Sequence, residues 1–329
     1  MSDLRAMTAA LNELSTGFVR SQILFVANDA NVFALLEEER SADEMAARVG
    51  WDPRGARMLL DGLVALELVE KREGLYRNAP LASACLVPGK IGYQGNIVRH
   101  QRNGMAAWMQ LDESVRTGQA AASERKERTP AELLDFILGM KDIGQLSAQE
   151  MLGVVDCSRY RHMLDLGGGP ASYAIAFLHA YPGMRATVFD RPEVLDIARE
   201  EVAAAGLDGR FGYIGGDMEY DALGSGYDLI LMSNIVHSMG SETNRAIVQK
   251  CFGALEPGGR FIIKDFIVEN DRSGPPFSLI FALRMLLNSG AGDTYTYDEV
   301  ASWTHDAGFP GGQSLPLARQ SRLWIVDKP

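Results

Sequence analysis

From about residue 160 onward, short apolar runs alternate with amphipathic segments, and this alternation constrains the fold more than any other feature. The runs predict strands at 161–166, 185–190, 211–215, 227–233 and 260–266. The segments between and after them predict helices at 171–180, 192–205, 241–255, 277–288 and 296–308, then a last strand pair near 314–327. Buried strands that alternate with helices form a parallel sheet covered on both faces. Residues 151–329 are therefore predicted to form a doubly wound α/β domain.

The N-terminal residues 1–95 follow a different pattern. Apolar side chains recur at helical spacing over 11–37, and Ser41 with Glu44 forms a capping-box pattern for a short helix that Gly50 closes. Asp52-Pro53 opens the next helix, and two short strands around a glycine turn follow it. Helix, turn, helix and a two-stranded wing predict a winged-helix-like domain. Residues 96–150 are predicted to be a helical linker, in which Trp108 and Met140 either line a pocket or pack in the core.

Charge decides between two uses of a winged helix. Residues 41–90 contain seven basic and seven acidic side chains, and the whole chain has a formal net charge of −11. Binding to DNA or RNA requires a basic face, because the phosphates dominate the affinity. We therefore expect no nucleic-acid partner and favour a dimerisation module, with a DNA-binding regulator as the remote alternative.

Three further counts narrow the class of protein. The cysteines, Cys85, Cys157 and Cys251, are far apart and form no Cys-x-x-Cys pair, which excludes a disulfide scaffold and a structural zinc site. The first residues lack the apolar core of a secretory signal, and no run of about 18 apolar residues is present to span a bilayer. We expect a cytoplasmic protein with no membrane partner.

The first predicted strand ends in the sequence LDLGGGP, residues 164–170. A glycine-rich turn after the first strand of a doubly wound sheet is where a nucleotide-like ligand approaches the backbone. The sequence departs from G-x-G-x-x-G, and the acid Asp165 precedes Gly167 and Gly169 in a turn that contains no basic residue. A carboxylate at this place disfavours a pyrophosphate and favours a ligand with an ammonium and a sulfonium group. S-adenosylmethionine has both groups.

Two more acids follow at the ends of the next two strands. Asp190 closes the second strand, 21 residues after Gly169, at the position that accepts ribose hydroxyls in this class of sheet. Asp217 follows the third strand, where a carboxylate and the apolar Met218 can hold an adenine ring. Acids at the carboxyl ends of three successive strands predict an S-adenosylmethionine site.

The chain resembles the S-adenosylmethionine-dependent small-molecule O-methyltransferases, typified by plant caffeate and isoflavone methyltransferases and bacterial polyketide methyltransferases. The resemblance runs over nearly the whole chain, in the motifs LDLGGGP, VFDRPEV, GGDM, SNIVHS, LEPGGRFIIKDF and YTYDEVASWTHDAGF. It implies a Rossmann-like class I methyltransferase sheet and a homodimer formed by the N-terminal domain. It also implies a small-molecule acceptor and a role in secondary metabolism. The cofactor contacts that it implies are Gly167, Asp190, Asp217, Met218 and Ser233.

The same resemblance implies that His237 is the general base on the acceptor hydroxyl and that Asp265 orients it. Methyl transfer is a displacement that a deprotonated nucleophile performs best, and an imidazole ordinarily has a pKa of about 6.5, suited to accept that proton near neutrality. The other histidines fall on predicted helix, strand start or surface, whereas His237 follows the fourth strand of the sheet at its carboxyl end.

The motifs also depart from the family. His237-Ser238-Met239 replaces the usual His-Asp-Trp, and Thr294 stands where plant members have a second acid. Residues 287–289, Leu-Asn-Ser, lack the second histidine that holds a metal in some relatives, so no metal is predicted. Methylation of nitrogen, sulfur or carbon, or a cofactor-binding enzyme that no longer transfers methyl, stays open beside O-methylation. Trp108, Met140 and Asn288 are predicted to line the acceptor pocket.

Overall fold

The computed structural model describes residues 2–122, 128–317 and 321–329. In the first helix, the side chains are described from Leu4 onward. The chain forms two compact units, Met1–Asn103 and Gly104–Pro329. The division follows Asn103 because the helix Gly95–Asn103 packs on the first helix of the chain. Asn28 donates to the carbonyl of Gly95, and Arg102 pairs with Asp29. Residues 318–320, between the last two predicted strands, lie outside the described ranges.

The first unit consists of short helices and a small antiparallel sheet. In chain order its elements are α1 Ser2–Asp29, α2 Val32–Leu35, β1 Arg40–Ser41, α3 Ala42–Val49, α4 Pro53–Ala65, β2 Val69–Arg72, β3 Leu75–Asn78, α5 Pro80–Cys85 and α6 Gly95–Asn103. The strands lie in the order β1-β3-β2. Ser41 and Glu44 form the predicted capping box, Gly50 ends α3 at φ +78°, and Asp52 caps α4. The winged-helix-like arrangement is confirmed.

Helix α1 begins well before the predicted residue 11 and is apolar on its exposed surface. Its exposed large side chains are Leu4, Met7, Leu11, Leu14, Phe18, Val19 and Val26. Only its C-terminal part contributes to the core of this unit, through Phe25 and Ala27. A contiguous exposed apolar surface of this kind is typical of a protein–protein interface.

The second unit is the α/β domain. Its helices are α7 Met105–Trp108, α8 Leu111–Thr117, α9 Pro130–Val154, α10 Ser172–Ala180, α11 Pro192–Ala204, α12 Ser241–Ala254, α13 Pro276–Asn288 and α14 Tyr297–Ala307. Its strands are β4 His162–Leu166, β5 Arg185–Asp190, β6 Phe211–Gly215, β7 Tyr227–Ser233, β8 Leu255–Asp265, β9 Gln313–Pro316 and β10 Arg322–Asp327, with 3₁₀ turns at Asp208–Arg210 and Val236–Ser238. The predicted strands and helices are confirmed to within a few residues, except that β8 starts at Leu255 rather than 260.

The strands form one sheet in the order β6-β5-β4-β7-β8-β10-β9, in which the first five are parallel and β10 is antiparallel to both neighbours. Alternate residues of each strand face opposite sides, so Met163 and Ile262 lie in one core and Leu164 and Ile263 in the other. The chain reverses its direction across the sheet between β4 and β7. Ligands of open α/β sheets bind at such a point, outside the carboxyl ends of the strands. We call this side of the sheet the carboxyl edge.

The described helices include none that is both long and apolar enough to cross a membrane.

Candidate active site

The turn after β4 is shaped by glycine. Gly167 and Gly169 have φ angles of +68° and +54°, which L side chains rarely adopt. A Cβ on Gly167 would lie 2.4 Å from Ile235 Cδ1, so only glycine fits beneath that side chain. A Cβ on Gly169 would meet no described atom within 4 Å, which leaves open space above that part of the turn. The turn therefore presents its backbone directly to a ligand at the carboxyl edge.

Asp190, at the end of β5, is fixed beside this turn. Its two carboxylate oxygens accept hydrogen bonds from the backbone N–H groups of Gly169 and Arg191, each at 2.8 Å. Burial raises the pKa of Asp190 above its usual value, although these two N–H groups act to lower it. Each carboxylate oxygen has two lone pairs, so both oxygens retain the capacity to accept a ligand hydroxyl. This geometry fits a ribose with two free hydroxyls.

Asp165 directly precedes the glycine turn in the sequence, but its side chain does not lie on the open side of that turn. Its carboxylate lies beneath the turn, only 1% exposed, and accepts a hydrogen bond from the N–H of Ala174 on α10. Burial raises the pKa of Asp165 to about 7, with the Ala174 N–H lowering it and Asp190 raising it further. Asp165 is thus placed to support the turn from below, and its role toward the ligand stays a prediction.

The loop after β6 forms the next part of the edge. Asp217 is exposed, and its carboxylate accepts a hydrogen bond from the N–H of Glu219. Met218 packs against the core, and its Cε lies 3.2 Å from the Cβ position of Gly167. Lys250, on α12, donates to the carbonyls of Met218, Glu219 and Asp221 at 2.7–3.0 Å. The structure thus brings Met218 against the glycine turn and fixes the backbone of its loop from behind.

These residues fit S-adenosylmethionine. The open face of Gly169 and the half-buried carboxylate of Asp190 suit an adenosine group, and Met218 supplies an apolar surface for a ring. Ser233 ends β7, next to β4 at the same edge. When it is bound, this cofactor supplies a methyl group that is activated by attachment to a sulfonium sulfur.

A histidine–aspartate pair lies at the adjoining strands. His237 is on the 3₁₀ turn that follows β7, and Asp265 is the last residue of the parallel neighbour β8. The distance from His237 Nδ1 to Asp265 Oδ1 is 2.7 Å. The Asp265 carboxylate also accepts from the backbone N–H groups of Phe266 and His237, at 2.7 and 3.4 Å. An ionised carboxylate only accepts, so Nδ1 carries a proton, and in the neutral imidazole Nε2 then has the free lone pair.

The charge state of Asp265 supports this assignment of the proton. Burial by itself would raise the pKa of Asp265, but His237 and the N–H of Phe266 outweigh it and hold the pKa below its usual value. The His237 side chain is 13% exposed, and no described residue hydrogen-bonds to its Nε2. The pair therefore presents a proton acceptor on its open side.

Three phenylalanines that contact one another, which we call the phenylalanine cluster, lie beside this imidazole: Phe266, Phe277 and Phe281. The ring of Phe281 meets His237 edge-on with centroids 4.9 Å apart, and Phe266 lies 5.9 Å away. Phe277 and Phe281 are one helical turn apart on α13. The sequence interpretation missed this cluster, although the spacing of four residues and the position of Phe266 directly after Asp265 were visible in the sequence.

The predicted acceptor-pocket residues are distributed over the same unit. Trp108 packs in a small cluster with Leu287, the neighbour of Asn288. Asn288 ends α13, and its buried Oδ1 has no hydrogen-bond partner within the described ranges. Met140 is half-buried on α9. The structure therefore brings Trp108 close to the end of α13, and a common pocket for all three residues stays a prediction.

Thr294, which replaces an acid of plant relatives, is buried. Its hydroxyl has no partner among the residues that the structure describes. A threonine cannot supply the second carboxylate, so Asp265 is the acid that contacts His237. In the described part of the chain, no three histidine, cysteine, aspartate or glutamate side chains lie close enough together to hold a metal ion.

This strand order is typical of the class I methyltransferases. They also have a glycine turn after the first strand of the sheet and an acid at the end of the second. The O-methyltransferase domain model matches residues 96–310, and the O-methyltransferase dimerisation domain model matches residues 12–88. The chain therefore belongs to the O-methyltransferase family. It is an S-adenosylmethionine-dependent O-methyltransferase of small molecules, which confirms the prediction of fold, cofactor and enzyme class.

Relatives of known activity match over nearly the whole chain. A 3-hydroxy-5-methyl-1-naphthoate 3-O-methyltransferase of Streptomyces sahachiroi is 34% identical over 96% of this chain and 93% of its own length. The tetracenomycin polyketide synthesis 8-O-methyl transferase of Streptomyces glaucescens is 31% identical over 96% of each chain. The crystal structure of human N-acetylserotonin methyltransferase in complex with S-adenosylmethionine superposes with a TM-score of 0.90 at 27% identity, over 98% of this chain and 97% of that chain.

Proposed function

We propose that the enzyme methylates a hydroxyl group on an aromatic ring, with His237 as the general base and Asp265 as its positioning residue. The observation that carries this proposal is the 2.7 Å contact between His237 Nδ1 and Asp265 Oδ1, beside the phenylalanine cluster. Aromatic side chains favour offset or edge-on contacts with another ring, which suits a planar acceptor. The naphthoate and polyketide acceptors of the two bacterial relatives support the same class.

The side chains have separate tasks in this mechanism. His237 Nε2 accepts the proton of the acceptor hydroxyl, and Asp265 stabilises the imidazolium that results, because its carboxylate already bonds to Nδ1. The phenylalanine cluster holds the ring and excludes water from it. Holding the oxygen in line with the reacting carbon removes much of the entropic part of the barrier.

The cofactor would be held by the part of the carboxyl edge formed by the ends of β4, β5, β6 and β7. We assign the ribose hydroxyls to Asp190, the adenine to Asp217 and Met218, and the close backbone approach to Gly167 and Gly169. We assign Ser233, the last residue of β7, to a contact with the amino-acid part of the cofactor. We assign Asp165 a supporting role: its carboxylate lies beneath the glycine turn and holds the shape of the turn on which the cofactor would rest.

We also propose that the enzyme is a homodimer assembled through α1 and located in the cytoplasm. The exposed apolar side chains of α1, with Leu14 at 82%, and the match to a dimerisation domain support the dimer. The three free cysteines are consistent with a reducing compartment. Light scattering of the full chain at micromolar concentration tests the dimer, and a monomeric mass would exclude it.

The acceptor proposal is tested with matched compounds and a cofactor that carries a labelled methyl group. 2-Naphthol, 2-naphthylamine and 2-naphthalenethiol present oxygen, nitrogen and sulfur on the same ring. We expect labelled ether from the naphthol and little product from the amine, identified by mass spectrometry. The thiol ionises near neutrality and does not need a base, so its rate should not depend on His237. Faster methylation of the amine than of the naphthol would contradict the choice of oxygen.

A further inference from the structure

Lys264 is a buried cation at the carboxyl edge. It is the penultimate residue of β8, and its side chain is 1% exposed. Its ammonium donates to Asn234 Oδ1 at 2.5 Å, and within residues 2–122, 128–317 and 321–329 no carboxylate lies at ion-pair distance from it. Removing an ammonium from water is costly unless a charged or strongly polar partner replaces the water. Asn234 and the rings of Tyr173 and Phe266, whose centroids lie 5.7 and 6.0 Å from the ammonium, are all uncharged, so within the described ranges no anion in contact with Lys264 balances its charge.

The position of Lys264 places this charge near the cofactor side of the edge. Lys264 pairs with Ser233 of β7, at the level where β4 passes into the glycine turn. β8 lies two strands from β4, a separation of about 10 Å. The ammonium is 5.7 Å from the ring centroid of Tyr173, at the start of the helix that follows the glycine turn.

The neighbouring acid, Asp265, forms no ion pair with Lys264, although the charge of Lys264 helps to lower the pKa of Asp265. Asp265 follows Lys264 in the strand, so its side chain faces the opposite side of the sheet, where it bonds to His237 and to the N–H of Phe266. Asn234, the amide partner, has a left-handed φ of +57° and directly follows Ser233. Lys264 and Asn234 thus form a small cationic site between the β7 end and the helix α10.

We propose that Lys264 binds a ligand carboxylate and that this group is the methionine carboxylate of S-adenosylmethionine. The glycine turn and Asp190 suit the adenosine end, and Lys264 lies across the strand-order reversal from them, where the amino-acid end would extend. A carboxylate on the aromatic acceptor has the same chemistry, because Lys264 is also 6.0 Å from the ring of Phe266 in the phenylalanine cluster. The experiment separates these two sources.

The first arm measures cofactor binding by calorimetry. S-adenosylmethionine and its decarboxylated form both carry a sulfonium and an ammonium, and they differ only in the carboxylate. We expect the wild-type protein to prefer S-adenosylmethionine roughly 10- to 100-fold, as one charge-assisted bond provides. Lys264→Met should reduce this preference to less than about threefold, by weakening only the carboxylate-bearing cofactor.

The second arm measures acceptor binding with S-adenosylhomocysteine present. 3-Hydroxy-1-naphthoate and 2-naphthol differ only in the carboxylate. A preference for the naphthoate that Lys264→Met abolishes, with the cofactor preference unchanged, would retain Lys264 as a carboxylate site and assign it to the acceptor. An unchanged preference in both arms, or an equal loss for both members of each pair, would overturn the proposal.

Two variants control for folding. Lys328→Met removes another lysine, bonded to the carbonyls of Phe252 and Leu255 at the opposite edge of the sheet, and should leave both preferences unchanged. Lys264→Gln can keep a hydrogen bond to Asn234 but has no charge, so it should also lose the preference for the ligand with a carboxylate. It replaces Lys264→Met in both arms if that variant folds poorly. Thermal unfolding of each variant checks that the binding data come from folded protein.

Discussion

The two halves of the carboxyl edge are built in different ways. The cofactor half consists of the glycine turn, Asp190 and the Asp217–Met218 loop, whose groups are held mainly by backbone hydrogen bonds near strand ends. The acceptor half consists of His237, Asp265 and the phenylalanine cluster, in which side chains from three separate elements hold each other. Because the two halves share no side chain, cofactor affinity and turnover should respond to separate sets of substitutions.

His237→Ala is expected to give the largest difference between the effect on turnover and the effect on cofactor affinity. Turnover of a phenolic acceptor should fall roughly 10²- to 10⁴-fold, the usual value of positioned proton transfer. Affinity for S-adenosylhomocysteine should stay within about threefold of wild type, because the residue faces the acceptor half. The loss should shrink at high pH, where a phenol of pKa about 10 ionises unaided. A loss under about tenfold with a flat pH profile would remove the base role and favour an acceptor atom other than oxygen.

Asp265→Asn tests the same half without removing the imidazole. The amide can still contact Nδ1 but provides no negative charge for the imidazolium, so we expect a turnover loss of about 10- to 100-fold, smaller than that of His237→Ala. The double variant should be no slower than His237→Ala alone, since Asp265 acts through the histidine. Additive losses measured in initial rates would contradict that dependence.

Asp190→Ala should affect the other half. It removes charge-assisted bonds to ribose hydroxyls, at most about 1.5–3 kcal/mol each, so affinity for the cofactor should fall tenfold or more by calorimetry. The exposed Asp196, on the neighbouring helix α11, provides a matched control, and Asp196→Ala should leave affinity unchanged. Equal affinities for Asp190→Ala and wild type would refute the assignment to ribose.

Lys250→Met should have a smaller effect on the same half. Three carbonyls of the Asp217–Met218 loop lose their common donor, so the loop should hold the adenine less firmly. We expect adenosine and the whole cofactor to bind about 3- to 10-fold more weakly, by the same factor, since the change acts on the adenine alone. A lower melting temperature with unchanged adenosine binding would make Lys250 purely structural.

The smallest effect on function is expected from Asp165→Asn, which concerns stability. The folded-state pKa of Asp165, about 7, lies above the unfolded value near 3.9, so the folded protein binds more protons between these values. The free energy of unfolding should therefore decrease as the pH rises from about 4 to 7. The amide does not titrate, so the stability of the variant relative to wild type should increase from pH 5 to pH 8. Urea unfolding at both pH values measures this, and a constant difference would contradict a buried, protonated Asp165.

Most of the fold was determined by local sequence. Apolar runs of strand length and caps such as Ser41 with Glu44 fix where elements begin and end, because these interactions involve residues within one helical turn. The order of the strands follows from right-handed crossovers, and acids at strand ends meet at one edge in any such sheet. Asp190 beside Gly169 could therefore be placed without coordinates.

The tertiary structure decided what depends on side chains that are distant in sequence. Asp165 looked like a ligand-facing acid, but the pleat turns its carboxylate beneath the glycine turn toward Ala174. The phenylalanine cluster joins the end of β8 to α13, and Lys250 reaches back over the Met218 loop. Lys264 lies within a strand that the sequence predicts to be buried, but the sequence does not indicate which groups surround its ammonium. Asn234 and Tyr173 come from other elements, so only the tertiary structure brings them to Lys264.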